Sequence, residues 1–274
     1  NCWLRLKKDK LAMFGLAVII VITLLAVFVP MLSPYTYDQT DFAHMLEWPS
    51  MAHPFGTDEY GRDILSRIIY GSRVSLSIGI VAQVVASLVG VTLGAVAGYY
   101  GGRIDSVISR IMEIFQAFPD LIFAMAIMTF LGKGVLNLFI ALGLLTWVRT
   151  ARMIRGSVMQ LKEKEYIEAS RACGASTFWI ITKGLVPNCL STIIVLVTLG
   201  IPNAIMYEAS LSFLGIGIQP PTPSWGNMIS AAQTFISYRP VYSIVPGVAI
   251  MITVIAFNIF GDGLRDALDP KLKN

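Results

Sequence analysis

Residues Glu165 to Asn188 read EYIEASRACGASTFWIITKGLVPN. The stretch is charged and rich in small residues, and an apolar segment long enough to cross a bilayer lies on either side of it. Membrane-crossing helices need no such insert between them. Its composition favours a helix from Glu163 to Cys173, with Gly174 placed as a left-handed C-terminal cap. Ala169, Ala172 and Cys173 then share one small-residue face, and Glu165, Glu168 and Arg171 lie beside it. Ser176 or Thr177 can start a second short helix, which Pro187 must end because proline removes a helix donor. Two short helices joined by a sharp turn would form a surface on which a soluble partner can push. The plainer alternative is a solvated loop with snorkelling basic residues.

Outward from this loop the chain is a polytopic helical membrane protein. Of its 274 residues, 55% are hydrophobic and only 14% charged, with a mean hydropathy of +0.68, whereas a soluble chain carries about 25% charged residues. The alternation expected of a transmembrane β-barrel is absent. Six spans are expected at 11–32, 74–98, 108–131, 136–153, 189–213 and 241–262. Sixteen basic residues then fall on one side: Arg5, Lys7, Lys8 and Lys10; Arg103 and Arg110; Arg149, Arg152, Arg155, Lys162, Lys164, Arg171 and Lys183; and Arg265, Lys271 and Lys273. Five fall on the other, at Arg62, Arg67, Arg73, Lys133 and Arg239. The positive-inside rule puts both termini and the 154–188 loop in the cytoplasm. Cys2, Cys173 and Cys189 all fall on that reducing side, which speaks against a structural disulfide. The first span follows a basic segment as a signal peptide would, but it is too long and lacks a cleavage site, so it is expected to stay as an anchor.

The expected organisation is an N-terminal part, 1–73, holding the first span and an outer loop, and a core of five spans, 74–274. Within the outer loop, HPFGTDEYGRDILSRIIYGSR (53–73) predicts a turn at Pro54-Phe55-Gly56 and a short amphipathic helix from Thr57 or Asp58. Ile64, Leu65, Ile68 and Ile69 supply an apolar face that could lie along the membrane surface. In GIGIQPPTPSWGNMI (215–229), Ser224 is placed to cap a helix from Trp225, whose indole suits the headgroup level. Ala82, Ala86, Gly90, Gly94 and Gly98 repeat every four residues and predict close helix packing. Gly200, Ala204, Glu208 and Ser212 form a second such stripe, on span five. A carboxylate deep in lipid would cost roughly 2.5–3.5 kcal/mol, so Glu208 is expected to turn inward, and the stripe to line the outer half of a pathway. Pro202 could bend that helix just below it.

Several chemistries find no support in these residues. There is no G-x-x-x-x-G-K-[S/T] phosphate loop, no zinc-like Cys/His spacing and no nucleophile elbow. His44 and His53 share the outer loop with acids and read as ordinary loop residues rather than metal ligands. No catalytic residue and no metal site is assigned.

The central loop resembles the EAA loop of binding-protein-dependent ABC importers, whose pattern is Glu-Ala-Ala, three residues, Gly, nine residues, then Ile-x-Leu-Pro. Glu168, Ala169, Gly174 and Pro187 match; Ser170 replaces the third motif residue, Gly184 the Ile and Val186 the Leu. RLKKDKLAMFGLAVIIVITLLAVFVPMLSPY (5–35), HPFGTDEYGRDILSRIIYGSRVSL (53–76), EASLSFLGIGIQPPTPSWGNMI (208–229) and FGDGLRDALDPKL (260–272) are similar to the C-type permease subunit of oligopeptide and dipeptide ABC transporters. That resemblance implies an all-α type I importer permease fold in a bacterial inner or plasma membrane. It also implies a partner permease of B type, two cytoplasmic ATPases carrying ATP and Mg²⁺, an extracytoplasmic binding protein and no cofactor or nucleic acid on this chain. By the same resemblance, Glu165, Glu168, Ala169, Ser170, Arg171, Gly174, Ala175, Ser176 and Pro187 would couple ATPase motion to the pore. Nickel, glutathione and other peptide-like cargo remain open. So do two other classes: an ion-driven secondary transporter using Asp120 and Glu208, with Glu113 and Asp262 near span ends, and a non-transporting scaffold.

Overall fold

A computed structural model describes residues 2–268, with Cys2 by its backbone alone. Lys271, Lys273 and the end of the FGDGLRDALDPKL match lie outside those residues.

The chain opens with a short α1 (Cys2–Leu6), then α2 (Lys10–Val27) and its one-turn continuation α3 (Val29–Leu32). Asp9 caps α2, accepting from the amides of Leu11 at 2.9 Å and Ala12 at 3.1 Å. After an outer segment come α4 (Ile64–Tyr100), α5 (Gly102–Gln116), α6 (Asp120–Leu131) and α7 (Val135–Leu161). Then follow α8 (Glu165–Ala172), α9 (Thr177–Trp179), α10 (Leu190–Phe213), α11 (Trp225–Ala232) and α12 (Pro240–Leu268). The protein is all-α. Five helical segments are long and apolar enough to cross a membrane, and α5 with α6, bent by 92° at the break between them, passes the same test only when the pair is taken as one span.

Three expected boundaries are corrected. The short helix expected from Thr57 or Asp58 does not lie apart on the membrane surface. Asp63 is the cap, accepting from Ser66 N at 2.7 Å, and the helix then runs unbroken through the expected second span. Gly71 does not interrupt it, because Trp225 packs over that position; Trp225 is buried there, and its indole donates to Ile68 O at 3.2 Å instead of sitting among headgroups. Residue 73, where the N-terminal part was expected to end, is therefore inside α4. The expected span 108–131 breaks at Ala117-Phe118-Pro119, since Pro119 takes an extended ψ of 129° and forces a new helix to begin at Asp120. Lastly, Pro187 does not end the second loop helix. A π turn at Ile180–Leu185 and a 3₁₀ turn at Val186–Cys189 absorb the missing donor, and Thr177–Phe213 is one helical path of 37 residues.

The heart of the fold is α4 lying along α7. A Cβ on Gly90 would stand 2.7 Å from Trp147 O, one on Gly98 2.7 Å from Arg155 O, and one on Gly94 would overlap Ala151 O. Ala82 and Ala86, wholly buried, continue the same contact towards Leu142 and Trp147. Backbones approach so closely only where side chains are small. α2 packs outside this core, on α12 and α4.

The segment between α3 and α4 is folded onto the helix ends by polar bonds. Asp58, fully buried, accepts from Arg62 Nε at 2.6 Å and faces Arg67 Nε at 3.4 Å. The Tyr242 hydroxyl on α12 donates to Glu59 at 2.6 Å, and Arg239 Nε donates to Leu46 O at 2.5 Å. His44 pairs with Asp41 at 2.7 Å and His53 with Asp63 at 3.0 Å. Among the described residues no group of His, Cys, Asp and Glu could hold a metal ion.

Candidate functional site

The charged loop from Glu165 to Asn188 folds into a built surface. α8 ends in a Schellman turn: Gly174 takes φ +79°, its amide donates to Arg171 O at 2.9 Å, and Ala175 N reaches back to Ser170 O at 3.0 Å. Ser176 caps α9, accepting from Trp179 N at 3.3 Å. Glu165, Glu168, Ala169, Arg171, Ser176 and Pro187 are exposed, and Ser170 turns its hydroxyl to Tyr166 O at 2.7 Å. One residue of α8 is buried: Ile167, packed with Ile154 and Val158 of α7, Ala95 of α4, and Ile180, Leu185 and Cys189. Gly184, which replaces the larger motif residue, makes room for it; a Cβ there would stand 3.0 Å from Ile167 Cδ1. Arg171 adds a cation–π contact to Tyr99 near the end of α4, 5.3 Å from the ring centre. Phe178, 78% exposed, projects from the same surface beside Tyr166 and Trp179. Sequence reasoning passed over Phe178, although an unpartnered aromatic beside charged residues is a usable sign of a docking surface.

The stripe on span five divides. Gly200 lines a cavity, but Ala204, Glu208 and Ser212 are buried in packing. Glu208 has no exposed surface; Ser212 Oγ donates to it at 2.7 Å and Ser75 Oγ at 3.3 Å. It does turn inward from lipid, but into a closed contact with α4 and the outer loop.

The cavity, about 370 Å³, lies between α4, α5, α6, α7 and α10. Its wall carries Gln83, Gln116, Asp120, Arg149, Asn203 and Tyr207. Arg149 and Arg152, counted with the cytoplasmic loop from sequence, stand inside α7. Asp120 accepts from the Tyr207 hydroxyl at 2.6 Å, and Arg152 on α7 donates to Gln116, the last residue of α5. A second cavity of about 330 Å³ shares Arg149, Met153, Leu196 and Leu199 with the first and continues to Ser191 and Arg265. The two form one groove along α7 and α10. Polar groups within a membrane are tolerated where they face protein or water, and this groove gathers such groups on one face of the chain.

A family profile described as a binding-protein-dependent transport system inner membrane component matches residues 90–274. A second, described as the N-terminal transmembrane domain of oligopeptide transport permease C, matches residues 1–49. The dipeptide transport system permease protein of Alkalihalophilus pseudofirmus is 46% identical over 98% of this chain and 89% of its own length. The oligopeptide transport system permease protein of Bacillus subtilis is 44% identical over 100% of this chain and 90% of its own. An inward-facing structure of the MetNI methionine ABC transporter superposes with a TM-score of 0.58 at 22% identity, covering 75% of this chain and 98% of that one. With both profiles in chain order and relatives matching end to end, the chain belongs to the family of binding-protein-dependent transport system inner membrane components.

Proposed function

We propose that the chain forms half of the translocation pathway of an ATP-driven importer of oligopeptides or dipeptides in a bacterial inner or plasma membrane. On this reading it works with a B-type permease, two cytoplasmic ATPases that hold ATP and Mg²⁺, and an extracytoplasmic binding protein, and has no catalytic residue of its own. The observation that carries the reading is the exposed α8–α9 surface, joined by one continuous helical path to the helix that walls the polar groove. Closure of the ATPase pair presses on Glu165, Glu168, Ala169 and their neighbours. Ile167 and the rigid turn at Gly174 pass the displacement to α7 and α10 as a unit, whereas a loose loop would dissipate it. The dipeptide and oligopeptide permeases among its relatives support peptide as the solute class; nickel or another peptide-like solute is the alternative within the family.

An ion-driven mechanism would need a chain of carboxylates along a path. Asp120 lines the groove and Glu208 is enclosed outside it, which speaks against a relay between them. In proteoliposomes holding the complete complex, peptide uptake is expected to require ATP and to stop with vanadate but not with an ionophore; the reverse would remove the ABC reading. Glu168→Lys and Gly174→Val are expected to assemble with the partner permease and lose transport, the second because a side chain in the left-handed region costs roughly 1–2 kcal/mol. On this reading both termini and the 154–188 loop face the cytoplasm, so an impermeant thiol reagent should miss the exposed Cys173 in intact cells and reach it in inverted vesicles.

A further inference from the structure

The groove holds a specific inventory of unused polar groups. At the break between α5 and α6 the backbone leaves its helix beside the groove, an arrangement tolerated within a membrane where the backbone lines a water-filled cavity. Asp120 stands at that break with Oδ2 held by Tyr207, while Oδ1 accepts no bond among the described residues. Arg149, midway along α7, makes no hydrogen bond or ion pair among the described residues, with Asp120 or with any other group. Gln83 is 3% exposed and yet reaches the wall of the cavity. Its amide nitrogen makes one long bond to Ser87 at 3.4 Å, and its carbonyl oxygen receives none among the described residues. Gly200 leaves the space in which that amide lies, because a Cβ there would overlap it. That oxygen is not sealed off, so a donor that enters the cavity can reach it.

The Arg149 guanidinium, the half-used Asp120 carboxylate and the Gln83 amide at the cavity wall match the two ends and the main-chain N–H of a short zwitterionic peptide. We propose that the groove contains a solute subsite in which Arg149 receives the peptide carboxylate, Asp120 held by Tyr207 receives the α-ammonium, and Gln83 accepts a main-chain N–H. The assignment rests on the peptide-importer reading and adds to it which groups touch the solute. Side-chain identity is left unread, so such a subsite serves peptides of many sequences. Contacts divided among three groups also keep each one weak enough to release the solute onward.

The test uses the complete complex in proteoliposomes and three solutes: a free dipeptide, its C-terminal amide and its N-acetyl form. Each variant's uptake is divided by that of the unaltered complex with the same solute and binding protein, which cancels capture outside the membrane. Arg149→Gln is expected to lower uptake of the free and N-acetyl forms about tenfold and to spare the amide, as loss of a charge-assisted bond implies. Asp120→Asn should lower the free and amide forms about tenfold and spare the N-acetyl form. Equal effects on all three solutes, or none, would overturn the subsite. A second readout bypasses the binding protein: free dipeptide should protect an Asn203→Cys thiol from a small hydrophilic reagent, and Arg149→Gln should abolish that protection. Protection that survives Arg149→Gln, or none in the unaltered background, would also overturn it. Failure of the unaltered complex to take up any peptide with ATP would instead sink the importer reading.

Discussion

Asp120 and Glu208 are both carboxylates on membrane-crossing segments, and the chain treats them oppositely. Around Glu208 the structure is closed: serine hydroxyls from α10 and α4 donate to it, Ile218 N completes the bonding of Ser212 at 3.0 Å, and Gly226 of α11 presses against the backbone of Ala209. Around Asp120 the structure is open, with a broken helix, a groove, one bond from Tyr207 and, at Arg149, a cation without a protein partner among the described residues. A buried polar group that is fully bonded fixes a unique packing, while one left partly unbonded at a wet wall remains available to a solute. The first region is built to hold shape. The second is built to meet something.

The contrast can be broken most forcefully at its glycines. Gly226→Val should destabilise the protein in detergent by upwards of about 3 kcal/mol, because the new Cβ meets the Ala209 backbone, which cannot yield. Gly200→Ala should cost about 1 kcal/mol or less, since the obstacle is the Gln83 side chain, which can swing into the groove. Equal losses from the two would erase the distinction. Next in size, Glu208→Ala should cost about 2 kcal/mol by stranding its hydroxyl partners. Asp120→Asn should stay within about 0.5 kcal/mol, both read as shifts in thermal unfolding.

Accessibility sharpens the comparison further. Span five carries two candidate faces one residue apart, so in the assembled complex an Asn203→Cys thiol should react about tenfold faster with a small hydrophilic reagent than an Ala204→Cys thiol. The reverse order would return the pathway to the buried stripe. The smallest effect belongs to the outer loop, where His44 and Asp41 are bonded and exposed. The His44 bond holds the Asp41 carboxylate below its ordinary range, and the same bond lifts the imidazole above its ordinary 6.5. Its contribution is therefore complete only between about pH 4 and 6.5. It fades as pH rises through the lifted histidine value or falls through the lowered aspartate value. By NMR, His44 should titrate above 6.5, and Asp41→Asn should bring it back, with uptake unchanged.

Much of this was legible before any coordinates. Apolar runs placed the spans, and Gly174 marked its turn because a left-handed residue after a helix is the ordinary work of glycine. The break in the third span was written at Pro119, but an apolar run continuing to Leu131 masked it; the amphipathic character of Gly102–Gln116, with Arg110 and Glu113, was the neglected sign. Pro187 was read as a helix stop, and no local rule reveals that a π turn will absorb it. The stripe from Ala204 to Ser212 is packed rather than open for a physical reason. Small residues at a spacing of four, as at Gly200–Ser212, mark where another helix comes close, and a helix cannot be both pressed and open on one face. The open face carries bulkier polar residues, Asn203 and Tyr207, whose meaning depends on Asp120 and Arg149 arriving from other helices.

The unbroken path from Thr177 to Phe213 also has a mechanical meaning. Thirty-seven residues at 1.5 Å each make a strut about 55 Å long, so a tilt of about 5° at its foot sweeps its tip by about 5 Å. Its irregular turns, Ile180–Cys189, lie within the lowest third, like an ankle under a shin. Small steps taken at the foot are thereby geared into strokes at the far end, and a change of stiffness at that ankle would alter the gearing without touching either surface.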